Sequence, residues 1–151
     1  MTKGSRFDQG IREMERGNYI DAITRFTQAL EAGDNSAASL SKRGVCHIRL
    51  GERELAARDF EQALAADSAC LSALVNLGNM ALEDGRVNDA QERYETALKI
   101  DPDYALAHHN LGVAYRRQGK VNESARELRL AAKLEQRAKS VLWRLGPKRR
   151  S

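Results

Sequence analysis

Only two prolines, Pro102 and Pro147, occur in this 151-residue chain, and β-branched residues are sparse. Both scarcities favour helix over strand. No apolar run approaches the roughly 20 residues needed to span a bilayer. Met1 to Gly10 is polar and lacks the apolar core of a signal peptide, so a cytoplasmic location is expected. Cysteine is nearly absent too. Cys46 and Cys70 have no Cys-x-x-Cys spacing and no ligand-like histidine beside them, which argues against a metal site and for two packing thiols. Aromatic residues number one Trp, four Tyr and three Phe, too few for a base-stacking platform.

Charge is plentiful but unevenly placed. Residues 1–115 hold 13 Lys/Arg against 18 Asp/Glu, while residues 116–151 hold 12 against 3. The net charge of +4 therefore conceals an acidic body and a basic carboxyl-terminal quarter. Trp143 is the only aromatic residue in that basic quarter. A sequence-independent grip on phosphates by this segment is the alternative functional reading, and it would weaken steeply with salt. Nucleic acid is the disfavoured partner.

What the chain does have is a period. Glycine falls at Gly10, Gly44, Gly78, Gly112 and Gly146, and again at Gly17, Gly51, Gly85 and Gly119. Alanine recurs at Ala29, Ala63, Ala97 and Ala131, and at Ala22, Ala56 and Ala90, a series that Ser124 continues. A bulky residue recurs at Phe26, Phe60, Tyr94 and Leu128. Every step is 34 residues. The second glycine of each unit suits a helix C-cap in the left-handed region. Ala90, Tyr94 and Ala97 mark the buried face of the helix that follows. Asp101-Pro102 closes a unit, with the proline expected as the first residue of the next helix. Small residues at Gly78, Ala90 and Ala97 let helix axes approach to roughly 8–10 Å.

The residues Leu74-x-x-Leu77-Gly78-x-x-Ala81, then Gly85, Ala90, Tyr94, Ala97 and Pro102, resemble the tetratricopeptide repeat (TPR). His108, Leu111-Gly112, Tyr115, Gly119, Ser124, Leu128 and Ala131 repeat that pattern. The resemblance covers residues 3–138 as four repeats, 3–36, 37–70, 71–104 and 105–138. It departs most in the first helix, where Arg6, Gln9 and Glu13 replace larger apolar groups. The fold it implies is all-α: a right-handed α-solenoid of four helix-turn-helix units, with a capping helix or an extended last helix over 139–151.

The family resemblance also implies a role, holding a protein or an extended peptide in a concave groove lined by the first helix of each repeat. In this sequence the matching positions are Lys42, Val45 and Arg49, then Asn76 and Asn79, then His109, Asn110, Val113, Arg116 and Arg117. Asn76 and Asn110 are 34 apart and are expected to stand one above the other, each offering a donor and an acceptor to a peptide backbone. Arg116, Arg117 and Arg144 are expected to make one wall basic, suiting an acidic ligand. The five-residue clamp by which some relatives grip a chaperone's terminal carboxylate is only partly matched. Asn79, Asn110 and Arg144 fit, but Val75 and Ser140 stand where lysines belong.

Past residue 138 the pattern does not stop. Gln136 occupies the place of the closing proline, and Ala131, Leu134, Ala138, Val141 and Leu145 keep a stripe of alternating three- and four-residue steps. One long helix from about Ser124 to Leu145, or two shorter ones, would satisfy it. Val141, Leu142, Trp143 and Leu145 are expected to cover the open end of the last repeat, with self-association through the same residues as the alternative. Lys148, Arg149, Arg150 and Ser151 read as a frayed basic tail. His47, His108 and His109 lack the partners of a triad or metal site, and no Gly-Lys-Ser/Thr follows the glycines. The expectation is therefore a non-enzyme without cofactor or metal.

Overall fold

Eight helices and no strand form among the described residues, 4–146, of the computed structural model. They are α1 (Arg6–Glu15), α2 (Tyr19–Glu31), α3 (Ser36–Arg49), α4 (Arg53–Ala66), α5 (Leu71–Glu83), α6 (Val87–Ile100), α7 (Ala105–Arg117) and α8 (Val121–Leu145). The basic tail expected at 148–151 lies outside the described residues, as does Pro147.

The turns inside the helix pairs share one construction. In the pair α5–α6, the Gly85 N–H donates to the Leu82 carbonyl (3.1 Å) and the Arg86 N–H to the Ala81 carbonyl (2.8 Å). Gly85 has φ +79°, and Gly17, Gly51 and Gly119 repeat the arrangement. These crossed bonds satisfy carbonyls that the helix end leaves open, and they need a left-handed residue that only glycine adopts cheaply. Of the turns between pairs, the one ahead of α3 repeats this construction at Gly33 (φ +71°), while the other two are built differently. Asp67 and Asp101 each accept a bond from the backbone N–H two residues on, at 2.9 and 3.0 Å. Pro102 lies inside that second turn, three residues ahead of Ala105 where α7 begins. It is thus not the first residue of a helix as expected, because the Asp101 side chain has already set the turn around it.

The chain divides into two compact halves, residues 1–77 and 78–151. In the first, α1 packs on α2, α2 on α3 and α3 on α4. Ala22, Phe26 and Cys46 are fully buried, with Phe7, Ile11, Met14, Tyr19 and Ile23 against them. Phe26 and Phe60 lie over the bare backbone of Gly10 and Gly44, so close that an added Cβ would come within 2.5 and 2.8 Å of a ring carbon. Full burial of each ring stabilises the half by roughly 1.5–3 kcal/mol. The half also holds a buried acid. Asp59 accepts two bonds from the Arg43 guanidinium (2.7 and 2.8 Å), and Arg43 donates a third to Thr27 Oγ1 at 3.1 Å. His47 Nε2 lies 3.6 Å from the same carboxylate.

In the second half α7 packs on both α6 and α8. Tyr94 covers Gly78, and Leu128 covers Gly112. Ser124 replaces the alanine of its series without leaving a buried polar orphan, because its Oγ donates to the Gly112 carbonyl at 2.7 Å. His108, read as a core residue, is buried but works as a bridge. Its Nε2 lies 2.7 Å from the Pro102 carbonyl oxygen and its Nδ1 2.6 Å from Glu127 Oε2.

Residues 121–145 form a single 25-residue helix. Of the two expected arrangements this is the extended last helix, and no separate capping helix exists among the described residues. Nor do Val141, Leu142, Trp143 and Leu145 cover the end of the last repeat, for all four are exposed. The reason is local: Gln136 leaves the backbone ladder intact, so the chain never turns back.

Candidate functional site

Helix α7 positions most of the candidate groove residues. Its buried side, Ala107, His108, Leu111, Gly112 and Ala114, faces its neighbours. That leaves His109, Asn110, Val113, Arg116 and Arg117 on the other side, with His109 and both arginines exposed and Asn110 and Val113 half-buried. Asn110, Val113 and Arg117 follow one another at three- and four-residue spacing, so they form a single stripe.

Asn79, near the middle of α5, is the hub beside that stripe. Its Oδ1 accepts from the Tyr94 hydroxyl at 2.6 Å and from Asn110 Nδ2 at 2.9 Å. Both lone pairs of that oxygen are thereby used. Among the described residues, the Asn79 amide N–H groups and Asn110 Oδ1 have no partner. Two fixed amides thus present a donor and an acceptor side by side. Burial pushes the Tyr94 hydroxyl up to about 12 from 10.0, opposed by the charge of Arg117 and aided by Glu83. It therefore remains a donor to Asn79 at neutral pH. Tyr115, on the same helix as Asn110, is also raised, first by burial and then by Glu95, Glu127 and Glu123.

Arg117 is held in place as well. Its guanidinium donates to the Leu82 carbonyl in the last turn of α5 at 2.8 Å, a second donor to an oxygen that already accepts from the Gly85 N–H. Gln118 Nε2 donates to Asn88 Oδ1 (3.0 Å) and Gln91 Oε1 (2.8 Å), tying the α7–α8 turn to α6. Arg116 stays free in water beside Arg117 and completes a basic end to the stripe. Arg144 does not join them. It sits on the far stretch of α8, which runs antiparallel to α7 and passes the opposite end of it. Arg116 and Arg117 therefore stand together at the end of α7 without Arg144.

In the first half, Lys42, Val45 and Arg49 form the corresponding stripe on α3. Arg49 lies 5.3 Å over the Tyr19 ring, which turns it toward the start of α2. Ser41 Oγ donates to Ser72 Oγ at 2.8 Å, joining α3 to the beginning of α5. Asn76 turns inward on its own helix, its Nδ2 donating to the Ser72 carbonyl at 2.8 Å. The partner that Asn110 finds is Asn79. Sequence reasoning missed the Tyr94 hydroxyl as part of this site, and also the Arg43–Asp59–Thr27 cluster. None of these repeats with the period, so the period could not reveal them. Hydrogen bonds to Asp59 raise the Arg43 pKa, against the opposing effect of its burial.

Among the described residues no group of three His, Cys, Asp or Glu side chains is placed to hold a metal ion. No helix among them is long and apolar enough to cross a membrane. Paired helices joined by glycine turns, with a small residue under each bulky side chain, define an α-helical repeat protein of the solenoid class. A family model described as Tetratricopeptide repeat matches residues 7–69 and 42–90, and one described as TPR repeat matches 78–119. The chain belongs to the tetratricopeptide repeat family. It is similar in structure to MamA (TM-score 0.74, 23% identity, 89% of this chain and 79% of that one). It is also similar to PilF of Pseudomonas aeruginosa (0.77, 25%, 87% and 60%). A third similar structure is YrrB, a TPR protein with an unusual peptide-binding site (0.67, 21%, 85% and 66%). Identities this low establish the fold alone. No curated protein sequence matches the chain.

Proposed function

We propose that this protein is a non-catalytic interaction module, and that the exposed stripe of α7 with Asn79 receives an extended segment of a protein partner. The observation that carries the reading is the Asn79–Asn110 pair. Each amide is held by the other, and Tyr94 holds Asn79 from below, so little side-chain entropy remains to be lost on binding. The unpartnered N–H and C=O match the alternating acceptor and donor of a peptide backbone, which every sequence offers. Val113 supplies an apolar contact, while Arg116 and Arg117 favour an acidic side chain or a terminal carboxylate at one end. Membership of the TPR family, and YrrB's peptide-binding site, support the same class of ligand. Lys42, Val45 and Arg49 on α3 form a second stripe of the same kind, with Asn76 as its less available amide.

The test begins with peptides selected from a random display library against the intact protein, their affinities measured by fluorescence anisotropy. Asn110→Ala removes the free acceptor and leaves the Tyr94–Asn79 bond in place. It is expected to weaken the selected peptides roughly tenfold, the scale of one buried hydrogen bond left unpaired. Arg116→Glu should lower affinity for acidic peptides only. Peptides that bind both variants as tightly as the parent protein would show that the α7 stripe is not the binding face.

A further inference from the structure

Helix α8 outruns the helix it packs on. Its 25 residues extend about 37 Å, against about 20 Å for the 13 residues of α7. The contacts fix where α7 gives out. Ser124 bonds to Gly112, Leu128 covers Gly112, and Glu127 meets His108. Three residues further back along α7 the helix begins. Ser124 and Ala131 are buried, but seven and fourteen residues on from Ala131 the same face of α8 carries Ala138 and Leu145. The column of Glu127 continues as Leu134 and Val141, and that of Leu128 as Glu135 and then Leu142. The packing face thus carries on for about three turns with nothing against it among the described residues. Val141 is 53% exposed, Leu142 71% and Leu145 78%.

This exposed face has the form of a helix seam, with apolar residues at alternating three- and four-residue steps. Its flanks are basic: residues 133–145 hold Lys133, Arg137, Lys139 and Arg144 against Glu135 alone. A second copy of the chain laid along the seam would set these cations against their own kind. A lipid surface is also a poor match. Trp143 is 85% exposed, but it lies roughly 160° around the helix from Leu145. The large apolar groups therefore do not share the one face that lying on a bilayer requires.

We propose that the free end of α8, from Leu134 to Leu145, docks an acidic amphipathic helix of another protein. The partner's apolar edge lies along Ala138, Val141, Leu142 and Leu145, and its carboxylates lie beside Arg137, Lys139 and Arg144. This surface is separate from the α7 stripe, so either can fail without the other.

The probe is a synthetic helix of about three heptads with Leu at its inward positions and Glu on both flanks. Two control peptides accompany it, one with Lys for Glu and one with Ser for Leu. Binding to the full chain is read by anisotropy of the labelled peptide. The Glu/Leu helix is expected to bind roughly tenfold or more tightly than either control, since seam and flank both contribute. Leu142→Ser/Leu145→Ser should abolish the difference without moving the thermal midpoint, because both side chains are already in water. Asn110→Ala should leave it unchanged. Trp143, the only tryptophan, should keep the emission of an exposed indole in the complex. Equal binding of the Ser-for-Leu peptide, or of the double variant, would overturn the proposal. So would a blue-shifted Trp143. Two further results would replace the proposed occupant and overturn it: a dimer in sedimentation that the double variant disperses, or pelleting with phosphatidylserine vesicles that it abolishes.

Discussion

Replacing Gly78 with alanine sets two effects of known sign against each other. Alanine is the better helix former by about 1 kcal/mol, and α5 continues on both sides of this position. The new Cβ, however, would stand 2.5 Å from Tyr94 Cε1, 3.0 Å from Cδ1 and 3.1 Å from Cζ. Carbon atoms settle at about 3.5–4.0 Å, so the ring would have to retreat by roughly 1 Å. It has nowhere to go, being fully buried. Its hydroxyl is also bonded to Asn79, the very next residue on the helix it must leave. Overpacking of this kind costs about 1–3 kcal/mol, which outweighs the gain in propensity. The net loss is about 1 kcal/mol, a fall of roughly 2–4 °C in the midpoint of a chain this size. Gly78→Leu should fall further. The sign should reverse in a Tyr94→Val background, where the side chain ends short of the clashing carbons. Gly78→Ala should there be stabilising, by about the propensity difference. Differential scanning calorimetry of the four proteins decides it. A midpoint that rises on Gly78→Ala with Tyr94 intact would refute the claim that close approach, rather than chance, keeps glycine here.

Other perturbations test the remaining parts of the fold. Arg43→Met should cost about 3–5 kcal/mol in urea unfolding, because it strands the nearly buried Asp59 carboxylate. Arg43→Met/Asp59→Leu should recover most of that loss, and a single variant as stable as the parent would show the pair to be dispensable. Stability should also decline in alkali. Burial raises Cys46 from 9.0 to about 11 and Tyr94 from 10.0 to about 12, so folding favours their neutral forms. Their contribution is complete below pH 9, where the unfolded groups also hold their protons, and is lost as pH rises through about 12. Denaturant midpoints measured across this window should fall for the parent chain and fall less for Cys46→Ala/Tyr94→Phe.

Much of the architecture could be read before any coordinates. The 34-residue glycine and alanine series located the helix pairs, and Ala22, Ala56, Ala90 and Phe26, Phe60, Tyr94 are all fully buried. Residues that recur with the period face the same neighbour in each repeat, so one-dimensional spacing carries their environment. The site was less legible. The period pairs Asn110 with Asn76, 34 residues back, yet its hydrogen-bond partner is Asn79, 31 residues back. That three-residue offset is almost a helical turn, and it depends on how α5 and α7 lie against each other. Arg117 was expected to make one groove wall basic, and the spacing gave no sign that one of its guanidinium N–H groups meets the Leu82 carbonyl.

What the order of residues determined alone was where helices start, stop and bury a face, because caps, glycine turns and apolar periodicity act within a few neighbours along the chain. The absence of a proline near Gln136 was enough to let α8 run on unbroken. Only the tertiary structure decided which polar groups meet: Asn79 with Asn110 and Tyr94, and Arg43 with Asp59 and Thr27. It alone also decided that the last turns of α8 stay exposed among the described residues. Such outcomes depend on distances between side chains from different helices, which differ by ångströms that no spacing along a sequence encodes.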